Sequence, residues 1–226
     1  VDGWRAFVDA MLLAYADRDH YVADADFVPV PVDELADPVY WDARAEDRPA
    51  PGDAPGIGDP GAVLDGTPII DRWGRDGTEE IAGTTHLSVI DAAGNAVAFT
   101  ASVEAPFGSQ RMAAGFVLNN ELTDFATVPT VNGKPVANAV EPGKRPRSSM
   151  APTLLFDADG RLFMATGSPG GNSILAYTTK SILGVVELGL SVEDAVALPN
   201  VVARGLPVRV EEERAPDWLV PGLREA

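Results

Sequence analysis

Cysteine is absent from this 226-residue chain, and histidine occurs only twice, as His20 and His86. The absence of cysteine excludes disulfides, thiolate nucleophiles and zinc–thiolate sites. Two histidines are also too few for a multi-histidine metal site, so no metal is expected. No apolar run approaches the ~20 residues that a helix needs to span a bilayer.

Basic side chains are scarce as well: 17 Lys and Arg stand against 34 Asp and Glu, for a formal charge of −17. This acidic balance repels phosphate backbones and anionic membranes, so nucleic acid is not expected as a partner. The length and the 46% hydrophobic content suit one globular domain with a sizeable core. Glycine and proline are plentiful, at 22 and 19 residues, which indicates many turns and loops.

Residue patterns predict an α+β fold in which strands are followed by helices that pack on them. The predicted helices are residues 3–17, Val39–Glu46, about Asn172–Leu188, and a short one opened by a capping box at Ser191 and Asp194. The predicted strands are a hairpin over residues 85–103, a short strand at 116–118, and a hairpin joining 153–156 to 162–166. Pro, Gly and Asp are dense from Asp47 to about Asp65, which is typical of a mobile, poorly ordered linker.

Gly83-Thr84-Thr85-His86 opens the first predicted hairpin. A threonine there is usually only a strand former. If the Gly83–Thr84 bond is cut, however, Thr84 carries a free α-amine beside its own hydroxyl. The reference pKa of an α-amine lies near ~8, so the amine can act as the base that activates Oγ of the same residue. No histidine or aspartate partner is then needed, which suits this chain.

A carboxylate-rich segment, Asn119–Phe125 (NNELTDF), follows the strand at 116–118. One interpretation is a polar turn. The other is that Glu121 and Asp124, joined by Glu104, bind a substrate ammonium group. Burying several carboxylates together is costly without a compensating cation, so their convergence would favour the second interpretation.

Two further segments also allow two interpretations each. The basic run that begins at Lys144 is either a solvated loop or a scaffold from which Ser148 and Ser149 donate hydrogen bonds to a substrate carboxylate. Gly167-Ser168-Pro169-Gly170-Gly171 is either an ordinary loop or a set of backbone N–H donors at a helix N-terminus. An oxyanion hole requires such donors.

Taken in order, these segments resemble the small subunit of γ-glutamyltransferases over roughly residues 84–198. The matching strings are GTTHLSVIDAAGNAV, FGS, LNNELTDF, GKRPRSSMAPT and GSPGG. Residues 1–46, including AYADRDHYVADADFVPVPVDEL, resemble the end of the family's large subunit. Each string is weak alone, but the ordered set is highly specific.

The resemblance implies an α+β N-terminal-nucleophile (Ntn) hydrolase with an αββα sandwich that is incomplete in this chain. Residues 1–83 would be the C-terminal part of the large subunit, with a flexible linker at 47–83, and residues 84–226 a C-terminally truncated small subunit. The family is made as one precursor that cuts itself before a threonine. The resemblance places that cut at Gly83–Thr84.

The implied activity is that of a γ-glutamyltransferase or glutathione hydrolase that needs no metal and no cofactor. Its substrate would be a γ-glutamyl amide such as glutathione, and the acyl group would pass to water or to an acceptor amino acid or peptide. The resemblance assigns the nucleophile to Thr84, its support to Ser102, the oxyanion hole to Gly170 and Gly171, the α-amino clamp to Glu104, Glu121 and Asp124, and the α-carboxylate contacts to Ser148 and Ser149.

Some features depart from the family pattern. Glu104 stands where many members have Asn, Glu121 where others have Gln, and Ser102 where Thr is usual. Complete members are more than twice as long, and the large-subunit arginine that pairs with the substrate carboxylate has no counterpart here. A missing large-subunit segment is therefore expected as a partner.

Two alternative functions stay open at this point. One is an acylase of the same fold that acts on glutaryl amides such as those of cephalosporins. The other is an uncut, catalytically silent chain. Export to the bacterial periplasm, or secretion, is implied by the resemblance alone.

Overall fold

The computed structural model describes residues 2–50, 52–81 and 83–225. The helices are α1 (Asp2–Tyr21), α2 (Val32–Leu35), α3 (Pro38–Glu46), α4 (Pro60–Leu64), α5 (Ile174–Val186), α6 (Val192–Ala197) and α7 (Leu219–Glu225). Short 3-10 turns cover Ile70–Arg72, Glu121–Asp124 and Gly171–Ser173. Across these described ranges, no helix combines the length and the apolar character needed to cross a membrane.

The described strands pair as separate antiparallel two-stranded sheets. The pairs are β1 (Thr84–Ile90) with β2 (Ala96–Ser102), β3 (Met112–Ala113) with β4 (Phe116–Val117), β5 (Thr130–Val131) with β6 (Lys134–Pro135), β7 (Thr153–Phe156) with β8 (Leu162–Thr166), and β9 (Val201–Val202) with β10 (Arg209–Val210). The α+β class is confirmed, although these short pairs do not merge into two continuous sheet layers.

The predicted elements are present, and α1 extends beyond its prediction. The apolar pattern ends near residue 17, but the helix continues to Tyr21. Its last turn is polar in sequence and nevertheless buried, because partners distant in the chain pair with it. Asp17 accepts hydrogen bonds from Arg44, and Arg18 donates to Glu80. A pattern of apolar residues alone could not detect such a turn.

Part of the segment predicted to be a flexible linker makes fixed contacts with α1. The Gly58 N–H donates to Asp17 at 2.7 Å, and the Tyr21 hydroxyl donates to the Gly58 carbonyl at 2.8 Å. Asp59 caps α4 and accepts hydrogen bonds from the Ile69 N–H. Asp59 therefore serves as a helix cap in this segment. The subunit boundary at residue 83 stays a prediction.

The main apolar core joins α1 to α5, β9 and α7. Its buried residues are Phe7, Val8, Leu12, Ala176, Val201, Val202, Ala203 and Leu219. This packing fixes α1 beside the start of α5. The two long hairpins, β1–β2 and β7–β8, pack against each other near the same place. The C-terminal turn of α1, the start of β1 and the loop before α5 thus approach one point.

Candidate active site

One small pocket brings together most of the residues singled out from the sequence. Its lining includes Thr84, Ser102, Glu104, Glu121, Asp124, Ser148, Ser149 and Gly171. The cavity measures about 20 Å³. A single water needs at least ~10–15 Å³, so there is room for about one. Gly170 lines a larger neighbouring cavity of about 690 Å³.

The hairpin register places Thr84 beside Ser102. Thr84 is the first residue of β1, and it pairs with Ser102, the last residue of β2. The Ser102 hydroxyl accepts a hydrogen bond from the Glu104 N–H at 2.8 Å. This bond shapes the turn after β2, in which Glu104 has a positive φ of 70°. Such a conformation is uncommon for glutamate.

Asn120 connects this turn to the carboxylate-rich segment. Its amide oxygen accepts a hydrogen bond from the Ala105 N–H at 3.0 Å, and its amide nitrogen donates to the carboxylate of Glu104. Glu104 is only 3% exposed. Asn120 belongs to the NNELTDF string, yet nothing in the sequence pattern marks it as the residue that holds Glu104 in place.

The three carboxylates predicted from the sequence, Glu104, Glu121 and Asp124, converge in the pocket together with that of Glu80. The pKa of Asp124 is raised from 3.8 to about 8, mainly by burial and then by the neighbouring carboxylates of Glu121, Glu80 and Glu104. One carboxylate oxygen of Asp124 is buried without a hydrogen-bond partner among the described residues. A site with this excess of negative charge favours a cation, such as a substrate ammonium group.

The two serines occupy different environments. Ser149 is buried, and its hydroxyl accepts a hydrogen bond from Arg18 at 2.6 Å and donates to Glu80 at 2.5 Å. Ser148 is exposed, and its hydroxyl accepts a hydrogen bond from the Met150 N–H at 3.1 Å.

The basic run is anchored at both ends, unlike a solvated loop. Lys144 donates to the Ala137 carbonyl at 2.7 Å, and the buried Arg147 lies 3.1 Å from Asp76. Arg145 is exposed but holds Asp24. These contacts fix Ser148 and Ser149 in position.

Glycine is required at two positions close to the Gly83–Thr84 bond. Gly171 has a φ of 53°, and a Cβ there would lie 2.8 Å from the carbonyl oxygens of Glu80 and Ile81. A Cβ on Gly83 would lie 1.7 Å from the Glu104 carbonyl oxygen. No other residue fits either position without a shift of the backbone.

A buried cluster of charges lies behind the serines, and no sequence signal indicates it. Its members are Arg18, Asp19, Asp76, Glu80, Arg147 and Arg204. Burial alone would disfavour the charged form of Glu80, but Arg18 and the Ser149 hydroxyl outweigh it and hold the pKa of the carboxyl below its usual value. The members come from four separate segments, at residues 18–19, 76–80, 147 and 204, so no local spacing connects the cluster as a whole.

Comparison with known proteins gives consistent matches. The model of the family Gamma-glutamyltranspeptidase matches residues 1–225. The Glutathione hydrolase proenzyme of Escherichia coli (strain K12) is 36% identical over 228 residues, which cover 96% of this chain and 37% of that protein. The chain therefore spans well under half the length of this relative.

A solved structure of a Helicobacter pylori gamma-glutamyltranspeptidase mutant has a TM-score of 0.56 and 36% identity, and the match covers 62% of this chain and 80% of that one. A further relative bears on the acylase alternative. The Acylase ACY 1 proenzyme of Pseudomonas sp. (strain V22) is 32% identical over 215 residues, which cover 93% of this chain and 34% of that protein.

Proposed function

Because the chain belongs to the gamma-glutamyltranspeptidase family, we propose that it carries the catalytic part of an enzyme that cuts itself at Gly83–Thr84 and then transfers γ-glutamyl groups. The substrate is a γ-glutamyl amide such as glutathione, and the acyl group passes to water or to an acceptor amino acid or peptide. The observation that carries this proposal is the pocket in which Thr84 meets three carboxylates, two serines and Gly171.

Self-cleavage uses the Thr84 hydroxyl against the preceding peptide bond. Oγ attacks the Gly83 carbonyl carbon, the C–N bond breaks, and the nitrogen takes a proton to become the α-amine of Thr84. Water then hydrolyses the ester and leaves a carboxylate on Gly83. The close approach of Gly83 to the Glu104 carbonyl supports a defined position for the scissile bond.

The freed Thr84 then acts on the substrate. Its α-amine takes the proton from Oγ as Oγ attacks the γ-carbonyl carbon, and the backbone N–H groups of Gly170 and Gly171 stabilise the developing oxyanion. The proton passes to the leaving amine. Water or an acceptor amine finally cleaves the ester and restores the Thr84 hydroxyl.

The rest of the pocket holds the γ-glutamyl group by its ends. Glu104, Glu121 and Asp124 bind the α-ammonium, since their mutual repulsion is relieved by a cation. Ser148 and Ser149 donate to the α-carboxylate. A missing large-subunit segment completes the protein, and exposed strand residues such as Phe99 and Phe163 provide apolar surface for it to cover.

An acylase is the second candidate, favoured by the match to the Pseudomonas relative. A glutaryl group has no α-ammonium, however, and would leave three carboxylates without a cation. Such a site costs free energy unless a positive charge compensates it. The carboxylates therefore favour the γ-glutamyl substrate.

The test follows the intact mass of the purified chain on a denaturing column during incubation. We expect two fragments whose masses sum to the precursor plus one water, the C-terminal fragment beginning at Thr84. Thr84→Ala, which lacks the hydroxyl, should stay whole. The cut protein should release aniline from a γ-glutamyl anilide faster than from a glutaryl anilide. A persistent single mass would favour the catalytically silent chain, and the reverse anilide preference would favour the acylase.

A further inference from the structure

The side chain of Asn172 links the 3-10 turn before α5 to the segment that precedes Thr84. Asn172 is only 6% exposed, and the donors and acceptors around it fix the orientation of its carboxamide. The amide oxygen accepts hydrogen bonds from the Glu80 N–H at 2.9 Å and from Arg204 at 2.8 Å. The amide nitrogen donates to the Glu80 carboxylate at 3.2 Å. One side chain therefore holds both the backbone and the side chain of Glu80.

Asn172 is itself fixed in place. Its backbone carbonyl accepts a hydrogen bond from the hydroxyl of Tyr15, a residue of α1 that is 1% exposed. Its neighbour Gly171 lies directly against the same segment, since a Cβ there would lie 2.8 Å from the carbonyl oxygens of Glu80 and Ile81. Asn172 thus offers Glu80 a hydrogen-bonding partner that has little freedom to move.

Arg204 extends this contact along the segment. Its guanidinium donates to the Asn172 amide oxygen and also, at 2.6 Å, to the carbonyl of Thr78. Asp19 pairs with the same guanidinium at 3.0 Å. The stretch from Thr78 to Glu80 is therefore bound to residues that follow Thr84 in the chain.

The Gly83–Thr84 bond lies between two anchors. On one side Asn172 holds Glu80, and on the other side Thr84 pairs with Ser102 at the end of the β1–β2 hairpin. Only residues 81–83 separate Glu80 from Thr84. A stretch this short, held at both ends, leaves the peptide bond few positions relative to the Thr84 hydroxyl.

We propose that Asn172 is a positioning residue for self-cleavage. By fixing the backbone of Glu80, its carboxamide keeps the Gly83 carbonyl carbon within reach of the Thr84 hydroxyl. The inference rests on the proposed function, in which that bond is cut. Asn172 exchanges no proton and forms no bond with the reacting atoms. It acts on their orientation, to which reaction rates are very sensitive.

The first experiment compares self-cleavage of Asn172→Ala and of the matched control Asn200→Ala by intact mass. Asn200 also carries an amide among charged partners, since it donates to Glu211 at 2.9 Å and accepts from Lys180 at 3.0 Å. It lies just before β9, away from Glu80. We expect Asn172→Ala to cut about tenfold or more slowly than the unsubstituted chain, and Asn200→Ala to cut at the unsubstituted rate.

Both variants are compared at a temperature at which thermal unfolding shows them to be folded. A purely structural role for Asn172 would lower the free energy of unfolding and leave the cut rate of the folded chain unchanged. If Asn172→Ala does not fold, Asn172→Asp, which keeps the shape of the side chain, takes its place.

A reciprocal exchange tests the contact itself. Asn172→Asp places a carboxylate beside that of Glu80, so it should slow the cut. Adding Glu80→Gln moves the donor to the other partner and restores the net charge, so N172D/E80Q should cut several-fold faster than N172D. With E80Q as the fourth variant, the double-mutant cycle measures the coupling between the two side chains.

Hydrogen exchange tests the same contact without a cut. In the Thr84→Ala background every variant stays whole. The peptide that contains Glu80 should exchange about tenfold or more rapidly in T84A/N172A than in T84A/N200A, because its backbone N–H has lost its acceptor.

Equal cut rates for folded Asn172 and Asn200 variants would overturn the inference. So would equal hydrogen exchange at Glu80, or an N172D/E80Q chain that cuts no faster than N172D. Failure of the proposed function is seen separately, as an unsubstituted chain that stays whole whatever the exchange at Glu80 shows.

Discussion

At Gly83, a single hydrogen atom in place of a side chain allows the scissile peptide to lie against Glu104. A Cβ at this position would lie 1.7 Å from the Glu104 carbonyl oxygen, so Gly83→Ala must displace the peptide that Thr84 is proposed to attack. Because small misplacements of reacting atoms are costly, we expect self-cleavage to slow by about 100-fold. The time course of fragment appearance by mass spectrometry measures this rate.

Gly77→Ala is the matched control for this change. Gly77 lies in the same segment, and a Cβ there would meet no atom within 4 Å. It should cut at the unsubstituted rate. Equal rates for the two alanine variants would contradict the proposed position of the scissile bond.

The raised pKa of Asp124 leads to a specific prediction for how the free energy of unfolding depends on pH. Its pKa is raised from 3.8 to about 8, mainly by burial and then by neighbouring carboxylates. Between those values the folded protein holds a proton that the unfolded chain releases, so the free energy of unfolding should decrease as pH rises. Asp124→Asn cannot ionise and should remove this part of the slope.

Urea unfolding between pH 5 and pH 8 measures the effect, and Glu79→Gln, at an exposed position, is the control. The difference between unsubstituted and Asp124→Asn proteins isolates Asp124 from other titrating groups. A slope that is unchanged by the asparagine would show that Asp124 is not protonated in the folded state at neutral pH. An ammonium-bearing ligand should favour the ionised form, so its binding near pH 7 should release protons.

At the scale of the elements, local sequence patterns predicted helices and strands better than they predicted long-range contacts. The turn residues Asp157-Ala158-Asp159-Gly160 between two apolar segments predict a hairpin of residues 153–156 and 162–166, and β7 and β8 have these bounds. Ser191 caps α6 as predicted, since it accepts from the Asp194 N–H. Each of these two signals is contained within a few consecutive residues of the chain.

The candidate site shows the same difference between local signals and long-range contacts. Ordered motifs identified the residues that line the pocket, but their roles stay predictions. The ion pair between Arg18 and Glu80 joins positions 62 residues apart, in a helix end and a linker, and neither has a pattern that indicates burial. Such charge pairs depend on the tertiary fold, which apolar periodicity does not describe.

The joint between α1 and α3 depends on one such pair. Arg44 donates to both oxygens of Asp17, at 2.9 and 3.1 Å, and both side chains are buried. Removing one partner leaves the other as an uncompensated buried charge, so Arg44→Ala should cost ~3 kcal/mol of unfolding free energy. Urea unfolding measures this, and Arg48→Ala, at an exposed position, should change it little. Equal losses for both variants would refute the role given to the pair.

At the scale of the whole molecule, the exposed strand faces are the most unusual feature. Phe99 in β2 and Phe163 in β8 are 53% and 55% exposed. The chain corresponds to only 37% of its Escherichia coli relative, so chain length beyond these residues is available in the family to cover such faces. The proposed large-subunit partner therefore accounts for surface that the main core of α1, α5, β9 and α7 leaves open.

The net charge of −17 gives the last prediction. With 34 acidic side chains against 17 basic ones, repulsion among the acidic groups exceeds the attraction between opposite charges. At 0.1 M salt the Debye length is ~10 Å, so repulsion between exposed charges farther apart than this is largely screened, whereas the buried pairs around Arg147 and Asp17 are screened much less. Exposed pairs such as Arg161 with Asp159 contribute little, so their weakening should not reverse the trend. We expect sodium chloride to raise the midpoint of thermal unfolding by a few degrees. A midpoint that falls with salt would mean that exposed ion pairs outweigh the acidic repulsion.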